Sequence, residues 1–199
     1  MSVTLVILIL IVVILAVAGV ILFVVYNRLT IQKNRYENAF AQIDVQLKRR
    51  YDLIPNLVNS ARAYLAHESE TLEAVIAARN IASGALKGAQ GPAVSPAALQ
   101  NLSAADLSLG GALGRLMAVM ENYPNLKADK TIADLSEELK STENRISFAR
   151  QAYNDSVMQF NQSCEIFPNV LFSGFFGFHK AKLWEIASPQ EAEPVKVNF

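Results

Sequence analysis

The sequence predicts an all-α protein: an N-terminal transmembrane helix that continues into a long antiparallel bundle of three to four helices. Three observations carry this reading. Residues 1–27 contain no charged side chain. Beyond them, apolar residues recur at alternating intervals of three and four, the spacing of a helix with one buried face. No stretch alternates apolar with polar for long enough to make a strand.

The run "VTLVILILIVVILAVAGVILFVVY", Val3 to Tyr26, exceeds the roughly 20 apolar residues that cross a hydrocarbon core, so residues 1–27 are assigned as a membrane anchor. A cleaved signal peptide is the rival, because "AVA" at Ala16–Ala18 resembles a cleavage site. The absence of Lys or Arg before the run, its length, and its continuation through Val20–Val25 favour a retained span. Arg28, Lys33 and Arg35 follow directly. The positive-inside tendency then puts the N-terminus outside and the bulk of the chain in the cytoplasm, as a single-pass protein of the inner membrane.

Residues 28–178 form the predicted bundle. A first helix over about 28–86 shows a stripe at Tyr36, Phe40, Ile43, Leu47, Tyr51, Ile54, Val58, Ala61 and Leu65, resuming at Leu72 and Val75. No strong breaker separates it from the span, so the two read as continuous. "GALKGAQGPAVSP" is a loop. Ser95 with Pro96 then starts a second helix over about 96–121, with Ser103 and Asp106 in capping-box spacing as another start. Its stripe is Leu99, Leu102, Leu109, Leu113, Leu116 and Met120, and Pro124 stops it. A third helix over about 129–166 begins at Asp129, or at Thr131 with Asp134, and carries the stripe Ile132, Leu135, Leu139, Ile146, Ala149, Tyr153, Val157, Phe160, Cys164 and Phe167 until Pro168 closes it.

The Phe-rich stretch "PNVLFSGFFGF" has two readings. It is an apolar cap over one end of the bundle, or a membrane-surface or partner contact with Trp184 as an interfacial residue. Residues 179–199 are expected to be an extended tail, and "ASPQEAEPVKV" has the composition of a chain that stays disordered alone.

Chemistry is hard to place. Lys+Arg and Asp+Glu are both 18, which gives no electrostatic motive for a nucleic-acid partner. The single cysteine, Cys164, leaves no disulfide and no CxxC site. His67-Glu68 lies in "HESET", where a zinc helix needs a second histidine and this chain has Thr71. "GGALG", Gly110 to Gly114, lacks the strand before and the Lys-Ser/Thr after a phosphate loop. No catalytic, cofactor-binding or metal residue is assigned. Gly110 and Gly114 instead suggest close approach of a neighbouring helix, within the chain or between chains.

"QIDVQLKRRYDLIPNL" remains. Pro55 removes a backbone donor and predicts a kink, with Asp52 three residues ahead to bond locally. A sharper reading is a buried polar cluster that fixes helix register, drawn from Arg49 or Arg50, Asp52, Asn56, Asn144, Arg145 and Asn154.

Several blocks carry a resemblance. "AQIDVQLKRRYDLIPNLV" with "HESETLEAV", then "ALGRLMAVMENYPNLKA", "LSEELKSTENRISFARQAYND", "FPNVLFSGFFGF" and the closing "VKVNF" resemble, in order, the LemA family of bacterial membrane proteins. The resemblance covers nearly the whole chain except the Gly/Pro loop, and "FHKAKLWEI" departs from the family's usual proline- and acid-rich stretch. It implies one N-terminal span, a soluble antiparallel helical domain and no known catalytic residues. It also implies a loose association with membrane proteases and envelope maintenance.

The leading expectation is therefore a non-enzymatic, membrane-anchored scaffold that forms homo-oligomers. Its motive is length: a first helix of roughly 90 Å cannot be covered by a second of about 40 Å. The other is an adaptor that docks a separate membrane protein, such as a protease. The lipid bilayer is the common partner.

Overall fold

In a computed structural model, which describes residues 3–91 and 94–184, the helix that begins in the apolar run does not stop at the first charge. α1 covers Val3–Ala61, 59 residues without interruption. Its first part is exposed all round, and buried positions begin at Val25 and Leu29. The chain then turns over residues 62–68 and returns as α2, Ser69–Ala89. α3 is Pro96–Met120, α4 the single turn Pro124–Lys127, and α5 Lys130–Glu165. A 3-10 turn, Asn169–Leu171, follows Pro168. Every regular element among the described residues is helical.

The one long helix expected over 28–86 is thus two. No Pro or Gly lies between Ala61 and Ser69 to announce the break. Tertiary burial makes it: folding back lets α2 bury Leu72, Val75, Ala82 and Leu86, and Leu65 in the turn is itself fully buried. Local propensity is a weak constraint beside such a core.

Side-chain pairs give the topology. Arg79 of α2 reaches Tyr51, and Gln90 reaches Asp44, so α2 runs antiparallel to α1. Arg49 pairs with Glu138, and Tyr36 meets Tyr153 and Phe160, so α5 is antiparallel to α1 as well. Pro96 shares a cavity with Lys33 and Tyr36 while Asp106 meets Arg50, so α3 runs parallel to α1. The body is an up-down-up-down four-helix bundle, with α1 packed mainly on α5 and α2 on α3. At the end far from the apolar run, Tyr64 donates to Asp129 at 3.0 Å and Tyr123 to Glu68 at 3.3 Å.

The helix ends follow local rules. The Ser95 hydroxyl accepts from the Ala98 N–H at 3.1 Å, with Pro96 at the first turn. Asp129 accepts from the N–H groups of Thr131 and Ile132. Those backbone donors, chiefly that of Ile132, with the Tyr64 hydroxyl, hold its carboxyl below its ordinary value. The alternative start at Ser103 is not used. Ser103 donates to the Gln100 carbonyl inside α3.

Pro55 sits inside α1, and α1 continues through it. A proline lacks the N–H that would bond the carbonyl four residues back, which here is Tyr51. What it frees is an acceptor, so Asp52 has nothing local to accept from. Asp52 is exposed and lies 3.9 Å from Arg79. The orphaned Tyr51 carbonyl instead accepts from Arg79 Nε at 2.9 Å. Arg79→Met is therefore expected to lower stability by about 1–3 kcal/mol, the range for losing a charge-assisted bond to a part-buried acceptor. In a Pro55→Ala background the helix supplies its own donor, and the same substitution should cost well under that. Denaturant melts of the four full-length chains in detergent complete the cycle.

Candidate functional site

The charged groups that the fold encloses lie midway along the bundle. Arg50 of α1 and Asp106 of α3 are 5% and 4% exposed. Arg50 Nη1 stands 3.2 Å from Asp106 Oδ1 and 2.7 Å from Glu143 Oε2 of α5. Asp106 Oδ2 accepts from Arg150 of α5. Two guanidiniums and two carboxylates form one neutral chain across three helices. Arg150 carries it onward, its guanidinium carbon 4.9 Å from the ring centre of Trp184. At its centre Arg50 and Asp106 have given up their water, so removing either one strands a buried charge, while Glu143 and Arg150 at the ends stay partly solvated.

Trp184 is held there by α5. Asn154 bonds both backbone groups of Trp184, accepting from its N–H at 2.8 Å and donating to its carbonyl at 3.2 Å. Asn161 does the same to Ala181, at 2.8 and 2.9 Å. The two asparagines are seven residues apart, about 10.5 Å along a helix, and three residues of extended chain cover about 10 Å. The spacings match, so residues 181–184 lie along α5 as a strap. Tyr153 adds a bond from its hydroxyl to the Lys182 carbonyl at 3.0 Å, and burial pushes its phenol up to about 12. Trp184, which one of the two readings of the Phe-rich segment placed at a membrane interface, is 4% exposed inside the bundle. The rest of the expected tail, including "ASPQEAEPVKV", lies outside the described residues.

The residues singled out from sequence are dispersed. Arg50 enters the buried network, and Asn154 holds the strap beside it. Arg49 pairs with Glu138 at the surface, and Asp52, Asn56, Asn144 and Arg145 are exposed. Gly110 lies against the network: a β-carbon there would sit 3.8 Å from Arg50 Nη2. Gly114 faces open space instead of a close neighbour. The two glycines wall a cleft of about 560 Å³ between α3 and α5, with Ala133 and Ser136 opposite and Arg50 and Glu143 in its lining.

Asp106, Glu143, Arg150, Asn161 and Arg79 carry the arrangement without having been picked out as its members. Their chemistry is structural. Each carboxylate of the network is paired to an arginine, the arrangement of an ion network that holds helices together. Cys164 is buried, which pushes its thiol up and away from the reactive thiolate. Among the described residues no three His, Cys, Asp or Glu side chains gather as metal ligands.

Comparison with known proteins decides the family. Residues 39–199 match the LemA family. The chain belongs to the LemA family. The matched region starts within the bundle-forming part of α1, so it takes in the buried network and the strap and leaves the apolar run outside. LemA membership is accompanied by likeness to curated relatives. Magnetosome protein MamQ of Magnetospirillum gryphiswaldense is 28% identical over 165 residues, covering 74% of this chain and 61% of its own length. Magnetosome protein MamQ 2 of Paramagnetospirillum magneticum is 33% identical over 84 residues, 42% of this chain and 31% of the relative. The chain thus spans between about a third and three fifths of the relatives it matches. Neither the LemA family nor these relatives is named for an enzymatic activity. Together with one helix, among the described residues, long and apolar enough to cross a membrane, they describe a membrane-associated helical protein.

Proposed function

We propose that this LemA protein is a non-enzymatic scaffold of the bacterial inner membrane: a single span, N-terminus outside, that carries a rigid bundle in the cytoplasm and assembles with other copies of itself. The observation that carries this is the continuity of α1 through Val3–Ala61. With no break between apolar run and bundle, the body is held at one height on the bilayer, which lets neighbouring copies meet in register. Length no longer supplies the motive. Once the chain turns at 62–68, the α1 stripe is covered by α2 and α5 of the same molecule. The support for assembly is now the cleft between α3 and α5, where Gly110, Gly114, Ala133 and Ser136 leave room for a helix to approach. Anchoring in one plane raises the effective concentration of copies and makes a weak contact sufficient.

The same cleft suits a helix of a different membrane protein, the adaptor reading. A photo-crosslinking residue at position 114, introduced in living cells, separates the two. Adducts of twice the chain mass support self-assembly, and adducts with one other membrane protein support the adaptor. Uncrosslinked chain, monomeric by native mass spectrometry in detergent, rejects both.

A further inference from the structure

The Phe-rich loop lies beside the end of the apolar run. Val25 and Leu29 of α1 are buried against Phe160 and Cys164 of α5, with Phe172, Phe176 and Phe178 of the loop packed around them. Tyr26 meets Phe176 at 5.3 Å and Phe178 at 5.8 Å, ring centre to ring centre. Gly177 makes this turn with φ of +74°, a left-handed conformation that side-chain-bearing residues resist. Half of the loop is therefore the expected bundle cap. The other half is left uncovered: Phe175 is 86% exposed, Phe167 is 75% exposed instead of closing the buried stripe of α5, which ends at Glu165, and Val170 and Leu171 are exposed in the same segment.

The height of that uncovered half is fixed by α1. Tyr26 is the last apolar residue before Asn27 and the first charge, Arg28. Val3 to Tyr26 is about 36 Å of helix against a hydrocarbon core of about 30 Å, so Tyr26 stands in the interfacial layer. Whatever is in ring contact with Tyr26 stands in the same layer. Large apolar side chains left exposed together in one short loop call for a partner, and aromatic rings favour this boundary. We infer that Phe167, Val170, Leu171 and Phe175 form a second membrane contact, an interfacial foot embedded among the lipid headgroups and upper acyl chains of the leaflet nearest the bundle. Its occupant is the bilayer itself, continuous with the lipid around the span. Two contacts fix what one span leaves free, the rotation of the body about α1. The inference rests on the reading that α1 crosses the membrane.

The test uses the full-length chain in vesicles of phosphatidylcholine and phosphatidylglycerol. F175W and L10W are made separately, and each is read as the fluorescence added over the parent, whose Trp184 is buried. Phe175 is exposed, so its replacement spares the core. The expected result is that the F175W signal is quenched by lipids brominated near the top of the acyl chain and escapes aqueous iodide. Quenching of F175W by iodide alone, with L10W quenched by lipid, overturns the foot and leaves the span standing. Shielding of F175W from both quenchers also overturns it, and means a protein contact. Failure of lipid to quench L10W removes the span, and the foot with it.

Discussion

Asp106→Ala is expected to lower the stability of the folded chain by about 3–5 kcal/mol, the range for breaking a buried ion pair from one side. Asp106 is the carboxylate between Arg50 and Arg150, and all but 4% of it is buried. Its removal leaves Arg50 with Glu143 alone, a group at the edge of the cleft whose side chain is about half exposed. A domain with a total stability of about 5–15 kcal/mol has little left after that. The loss belongs to the orphaned charge, and this is separately testable. Replacing Arg50 by Met and Asp106 by Leu together removes both buried ions, and should be near neutral or stabilising relative to Asp106→Ala. Arg150 then keeps its place over Trp184, with part of its side chain exposed to water. Denaturant melts of the full-length chain in detergent, followed by helical circular dichroism, read both. Equal losses for the single and double variants would show that volume, not charge, sets the cost.

Trp184→Ala carries the other large effect, again about 3–5 kcal/mol, as expected for truncating a buried indole. Part of it comes from the ring beneath Arg150, so Trp184→Ala and Arg150→Ala should be non-additive. Asn154→Ala leaves the ring in place but removes two bonds to the Trp184 backbone, and should cost about 1–3 kcal/mol. Hydrogen exchange localises the effect. Both variants should expose the 181–184 amides before the bundle opens. A Trp184→Ala chain with parental melting and protected strap amides would contradict the strap.

The helices were legible because they are built on period. The apolar stripes of α3 and α5 and their caps at Ser95 and Asp129 set those two elements to within a residue or so. The turn at 62–68 was not legible, since nothing in "RAYLAHE" forbids a helix and the bend exists only because α2 gains a core. The buried network was written more plainly than its reading. Asp106 continues the stripe Leu99, Leu102, Leu109, Leu113 at intervals of four and three, so a carboxylate sits at a core position. Arg50 lies between Leu47 and Ile54, and Arg150 between Ile146 and Tyr153, in the same register. Three charges each on an apolar face must find one another, whereas Asp52, Asn56, Asn144 and Arg145 lie off those faces and stay in water. The strap was out of reach of any pattern, because Asn154 and Asn161 pair with backbone, which has no signature.

An unbroken α1 also makes the molecule a lever. From Tyr26 to Ala61 the helix extends about 50 Å past the hydrocarbon. A span longer than the local bilayer thickness leans, and a change in lean of about 10° would swing the tip near Tyr64 and Tyr123 by about 9 Å. Thickness at one end would be read out as displacement at the other, with no joint between them to absorb it.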